Sequence, residues 1–116
     1  MVPVSISERA DGVLDVALYG EIDYTNAAPV TEEVTAAVTR HRPAAVRLDL
    51  AGVTFLDSSG IGVLISALKA ARAVAAEYRV TGPNPVVFDQ LRITGLVDVF
   101  PVDAPADPAR PSAAAG

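Results

Sequence analysis

The strongest constraint on the fold is a change of hydrophobic period along the chain. In the run 13–20, Leu14, Val16 and Leu18 share one face of a strand, with Asp15 and Ala17 on the other. Val46-Arg47-Leu48-Asp49-Leu50 alternates in the same way. Between these runs Val30, Val34, Ala37 and Val38 recur at helical spacing, and Ile61, Leu64, Ile65 and Leu68 do so after the second. A weaker alternation over 2–7 predicts a first strand, joined to the second by a turn at Arg9-Ala10-Asp11-Gly12. Thr25 or Asn26 is placed to cap the first helix, Pro29 fits its first turn, and Pro43 ends it. A long helix is expected over 59–77 and a short strand over 78–81. Asn84-Pro85 opens a third helix running through Leu91, Gly95 suits a left-handed stop, and 97–102 reads as a last edge strand. The order β-β-α-β-α-β-α-β implies an α/β fold, a mixed sheet of four to five strands with helices packed on it. The domain is expected over 1–102. Residues 103–116, rich in Pro and Ala without periodicity, read as a disordered tail.

Composition narrows the function. A chain of 116 residues, 51% hydrophobic and 20% charged, is one domain able to bury a core. It holds no cysteine and one histidine, which excludes disulfides, thiolate metal sites and multi-histidine metal sites. Net charge is −5 with no Lys/Arg cluster, so nucleic acid and anionic membrane are poor partners and a basic protein patch is a better one. The N-terminus lacks the pattern of a signal peptide. The apolar stretch 60–76 is interrupted by Lys69 and Arg72 and is too short to span a bilayer. The cytoplasm is the expected location.

The segment Asp57-Ser58-Ser59-Gly60 joins a strand to the long helix. Capping of the helix by these side chains is its simplest explanation, with Ser58 the better N-cap candidate. A helical wheel puts Ile61, Leu64, Ile65 and Leu68 on the core side. It puts Val63, Ala67, Ala70 and Val74 on an outer stripe, with Ser59 beside Val63. A smooth apolar stripe suits contact with a partner. The helix-forming preference of alanine explains it equally well. A phosphate on Ser59 would meet free amides and the positive end of the helix dipole, opposed in part by Asp57.

The segment Phe55-Leu56-Asp57-Ser58-Ser59-Gly60-Ile61-Gly62 resembles the signature of STAS-domain anti-sigma factor antagonists, also called anti-anti-sigma factors. Gly20-Glu21-Ile22-Asp23 is similar to the family motif at the end of the second strand. Leu91-Arg92-Ile93-Thr94-Gly95-Leu96 followed by Phe100 is similar to its C-terminal signature. The resemblance covers about residues 4–102. It implies a STAS fold and a protein that, unphosphorylated, binds an anti-sigma factor that is also an ATP-dependent serine kinase, freeing the sigma factor. Phosphorylation of Ser59 by that kinase would end binding, with Ser58 a minor alternative, and a PP2C-type phosphatase would reverse it. Asp23 and Asp57 match acidic positions near the modified serine. The expected contact residues are Asp23, Asp57, Ser58, Ser59, Gly60, Gly62, Val63, Ala67, Ala70 and Val74. The alternative within the same fold is a non-switched adaptor of a transporter ATPase or stress-signalling scaffold.

Catalytic and cofactor readings are weaker. His41, before Arg42-Pro43 at a helix end, reads as solvated or carbonyl-capping. Gly60-Ile61-Gly62 lacks the third glycine of a dinucleotide loop, there is no Walker A sequence, and the serines lack a G-x-S-x-G elbow. Glu32 and Glu33, adjacent on a helix, do not face each other. Phe88 and Leu91 fit the core side of the third helix. No enzyme activity, cofactor or metal is expected.

Overall fold

The computed structural model describes residues 2–105. Within them run β1 (Val4–Glu8), β2 (Val13–Ile22), α1 (Ala27–His41), β3 (Ala45–Leu56), α2 (Ser58–Ala73), β4 (Glu77–Thr81) and α3 (Pro85–Ile93), followed by a single 3₁₀ turn at Leu96–Asp98. The strands form one mixed sheet in the order β1-β2-β3-β4. β1 and β2 are an antiparallel hairpin with Ile6 opposite Val16. β2, β3 and β4 run parallel, Leu14 beside Val46 and Val46 beside Tyr78. The crossovers β2-α1-β3 and β3-α2-β4 step across the sheet in the same direction. Crossovers of one hand therefore place α1 and α2 on the same face, where they pack against each other.

The alternation sets the core. Leu14, Val16, Leu18, Val46, Leu48 and Leu50 are fully buried and form one cluster with Val30, Val34 and Val38 of α1 and Leu64 of α2. The other face of the sheet carries Asp15 and Arg47, 3.9 Å apart, and the exposed Arg79. Tyr78 sits on the inner face, donates its hydroxyl to the Leu64 carbonyl at 2.8 Å and meets Phe100 edge-on, with ring centroids 5.2 Å apart. Burial pushes its phenol well above its ordinary range.

Four expectations change. β3 does not end at Leu50 but continues to Leu56, with register shifts against β2 between Ala17 and Tyr19 and between Gly20 and Glu21. Ala51-Gly52 is thus an irregularity inside a strand, where a Cβ on Gly52 would stand 2.7 Å from the Tyr19 ring. α2 stops at Ala73 rather than Glu77. Ala75 is left-handed, with φ 58°; its N–H bonds to the Arg72 carbonyl at 3.0 Å and that of Ala76 to the Ala71 carbonyl at 2.8 Å, a Schellman stop. The last edge strand over 97–102 does not form. The 3₁₀ turn occupies its start, and one parallel bridge, Val80 to Val102, remains. The Asp103 N–H bonds to the Val80 carbonyl at 3.0 Å and its carboxylate pairs with Arg79. Residues 106–116 of the expected tail lie outside the described residues. Finally, Asn26 stands at the N-cap position of α1 but makes no side-chain cap bond. No helix among the described residues is long and apolar enough to cross a membrane.

Candidate functional site

The pairing of Ile22 with Leu56 at the end of the parallel strands brings two loops side by side, the one after β2 and the one before α2. α2 begins directly against the end of β2. A Cβ on Gly60 would lie 2.3 Å from the Ile22 carbonyl oxygen and 3.0 Å from Leu56 Cδ2, so only glycine lets the helix start there. Asp57, not Ser58, is the N-cap. Its Oδ1 accepts the Gly60 N–H at 2.9 Å and its Oδ2 accepts the Tyr24 N–H at 3.0 Å. The Asp57 N–H reaches the Ile22 carbonyl at 3.3 Å. One carboxylate therefore closes the helix end and clamps the neighbouring loop to it. A carboxylate has two separate oxygens, one for each of these donors, where a serine has a single hydroxyl oxygen, and the serines are left as the first two residues of the helix. Ser58 is exposed and Ser59 half-exposed.

The loop after β2 is self-braced. Asp23 Oδ1 accepts the Thr25 N–H at 2.9 Å and the Thr25 hydroxyl, while the Asp23 N–H donates to Asn26 Oδ1 at 2.9 Å. Asn26 Nδ2 donates to the Glu21 carbonyl at 2.8 Å, so the side chain that was to cap α1 closes this loop instead. The Thr25 hydroxyl first, then the Thr25 and Asn26 amides, hold the Asp23 carboxyl below its ordinary value of 3.8 against the opposing effect of partial burial. Asp23 is thus a fixed negative charge beside the helix start. Behind the site, Gln90 Nε2 donates to the Leu56 carbonyl at 2.7 Å, and Asn84 joins α3 to β3 through the Val53 carbonyl at 3.1 Å.

The outer stripe of α2 is corrected. Val63 and Ala67 are each 1% exposed, and Ala70 and Val74 are half-buried against the core. α2 packs against α1 as well as against β3 and β4, so more than one side of it is buried. Ile61 and Ile65, assigned to the core side, are only half-buried. Exposed large apolar side chains lie elsewhere, among them Tyr24, 81% exposed, on the clamped loop, Phe55 at the end of β3 and Ile93, 72% exposed, at the end of α3; Tyr19, Val86 and Val99 are exposed as well. Asp23, Asp57, Ser58, Ser59, Gly60 and Gly62 do come together, and nothing stands within 4 Å of a Cβ built on Gly62. Sequence reasoning missed Tyr24 and Gln90. An exposed aromatic next to an acidic loop was the available signal for the first; the second had none, because its partner is a backbone carbonyl in another element.

The discounted residues lie away from the serines. His41 contacts the Glu8 carboxylate, joining α1 to β1, and Glu32 and Glu33 are exposed on α1. Among the described residues no group of three or more His, Asp or Glu side chains is placed to hold a metal ion.

The STAS domain family matches residues 6–109. The anti-sigma-B factor antagonist of Listeria monocytogenes is 32% identical over 102 residues, covering 87% of this chain and 88% of its own length. An anti-sigma factor antagonist from Mycobacterium paratuberculosis superposes with a TM-score of 0.76 at 28% identity, over 85% of this chain and 82% of that one. The fold alone is shared with the anti-sigma factor antagonist SpoIIAA of Bacillus. Its unphosphorylated form has a TM-score of 0.66 at 17% identity, over 90% of this chain and 89% of that one. Its phosphorylated form has a TM-score of 0.66 at 18% identity, over 87% and 91%. Strand order, the serine-bearing helix start and these likenesses together establish that the chain belongs to the STAS-domain family of anti-sigma factor antagonists.

Proposed function

We propose that this protein is an anti-sigma factor antagonist whose binding is switched at Ser59. In the unphosphorylated state it binds a serine-kinase anti-sigma factor in the cytoplasm and frees the sigma factor for transcription. The kinase transfers the γ-phosphoryl group of ATP to the Ser59 hydroxyl, ADP leaves, and the complex dissociates. A PP2C-type phosphatase hydrolyses the phosphoserine and resets the switch. The protein acts by binding and is itself no enzyme. The observation that carries this reading is the half-exposed Ser59 at the second position of α2, in a first turn already closed by Asp57. A phosphate there gains from the helix N-terminus, so the fold tolerates it. The same phosphate adds to the charges of Asp57 and Asp23, and a dianion buried under a docked partner without a counter-charge is costly. Relatives named anti-sigma factor antagonists, and a protein of the same fold solved in phosphorylated form, support the reading.

The test combines the protein with its kinase and ATP and maps the modified residue by mass spectrometry. Phosphate is expected on Ser59. Ser59→Asp should weaken kinase binding by about tenfold or more, which is about 1.4 kcal/mol or more. Ser59→Ala should bind and take no phosphate. Wild-type affinity in Ser59→Asp refutes the mechanism.

A further inference from the structure

The stripe of α2 on which a partner was expected to rest is buried at Val63 and Ala67 and half-buried at Ala70 and Val74, so the contact surface must be sought elsewhere around the serines. An open hollow of about 330 Å³ lies beside Ser58, the neighbour of Ser59, between the end of β3, the first turn of α2 and the last turn of α3. Phe55, Ile61 and Ile93 give it apolar walls, and Asp57 and Ser58 are among its lining. Phe55 is 44% exposed and Ile93 is 72% exposed, so two of the large exposed apolar side chains flank one hollow.

We propose that the kinase docks by inserting an apolar side chain into this hollow, so that Phe55, Ile61 and Ile93, and not the small-residue stripe of α2, form its main contact. The inference rests on the kinase reading above. The occupant follows from continuity. A partner released by charge at Ser59 has to cover the first turn of α2, and a body covering that turn also covers the hollow that shares Asp57 and Ser58 with it. The hollow is open and shallow, and its volume of about 330 Å³ leaves room for one leucine-, methionine- or phenylalanine-sized side chain laid against its walls. The exposed Glu21, at the end of β2 opposite Phe55, and Asp23, on the loop that follows, add negative charge beside the hollow, so the partner presents a basic side chain next to its apolar anchor. Ile93 sits on α3, whose position is set by the Gln90 bonds to Leu56, so the hollow is preformed and little ordering is needed on binding. A phosphate on Ser59 would then lie at the margin of an apolar contact, where water cannot screen it.

The experiment titrates the full chain, unphosphorylated and without ATP, with the anti-sigma factor kinase that modifies Ser59, by isothermal calorimetry. Ile93→Gln and Phe55→Thr should each weaken binding by about tenfold or more, with unfolding midpoints of the variants measured alongside. Ala73→Gln, at an exposed position near the far end of α2, should bind within about twofold of wild type. Wild-type affinity in both Ile93→Gln and Phe55→Thr overturns the proposal, as does an equal loss in Ala73→Gln. A wild-type protein that takes phosphate on Ser59 while Ile93→Gln and Phe55→Thr bind normally defeats this inference alone. A wild-type protein that takes none on Ser59 defeats the functional reading with it.

Discussion

At the scale of single residues, the site depends on one glycine and one carboxylate. Gly60 touches the backbone of β2, which cannot move without breaking the pairing of Ile22 with Leu56. Gly60→Ala forces the 2.3 Å contact with the Ile22 carbonyl, and its cost exceeds any gain in helix propensity. A loss of about 1–3 kcal/mol is expected in urea denaturation, the range for overpacking a close contact; unchanged stability would mean that α2 does not start against β2. Asp57 explains why Ser59 is free. By satisfying the Gly60 and Tyr24 amides itself, it removes the capping task that would otherwise tie down a serine hydroxyl. In sequence Ser58 is the better cap and Ser59 the presented residue; in the structure neither serine caps the helix. The cap places Ser58 first and Ser59 second in the helix, so the two face different directions.

At the scale of elements, α2 is shaped by what ends it and what lies beside it. The Ala-rich run after Leu68 contains no residue that stops a helix, and propensity alone carries the helix to Glu77. β4 must begin at Glu77 to pair with Ala45, so the chain turns earlier, at Ala75, in a conformation that costs a non-glycine residue about 1–2 kcal/mol. Ala75→Gly should therefore raise stability by about 1 kcal/mol, read as a higher urea midpoint at unchanged slope. A fall in the midpoint would show that the left-handed turn is not strained. The core faces of β2 and β3 were legible, since Leu14, Val16, Leu18, Val46, Leu48 and Leu50 are the buried positions that alternation selects. The flanks of α2 were not, because a helix in contact with both a sheet and a second helix buries more than one stripe. Val63 and Ala67 carry no mark that separates a helix-facing residue from a partner-facing one.

At the scale of the whole molecule, a switch of this kind requires that modification alter the surface and spare the fold. Ser59 is half-exposed at the start of α2 and is not a member of the buried core cluster, and its new charge meets the favourable end of the helix. Ser59→Asp is expected to change unfolding free energy by no more than about 0.5 kcal/mol while it lowers kinase affinity. A large drop in stability would make the loss of binding a consequence of unfolding. The two ends of the sheet also differ. The end bearing Ile22 and Leu56 carries the serines and the exposed Tyr24, Phe55 and Ile93. The β4 edge is held by the Val80 bridge to Val102 and by the Asp103 contacts.

The sequence by itself determined the order of elements from β1 to α3, the inward faces of the strands, the third-helix cap at Asn84 and the Asp57-Ser58-Ser59-Gly60 segment that opens α2. Each of these is written locally, in a period, a turn residue or a contiguous motif. Only the tertiary structure decided that Asp57 caps α2, that β3 runs on through Gly52 to meet Ile22, and that Phe55, Ile61 and Ile93 gather around one hollow beside Ser58. Those outcomes depend on which backbone groups and helix flanks meet across the sheet, and a linear pattern does not encode a neighbour that arrives from more than thirty residues away.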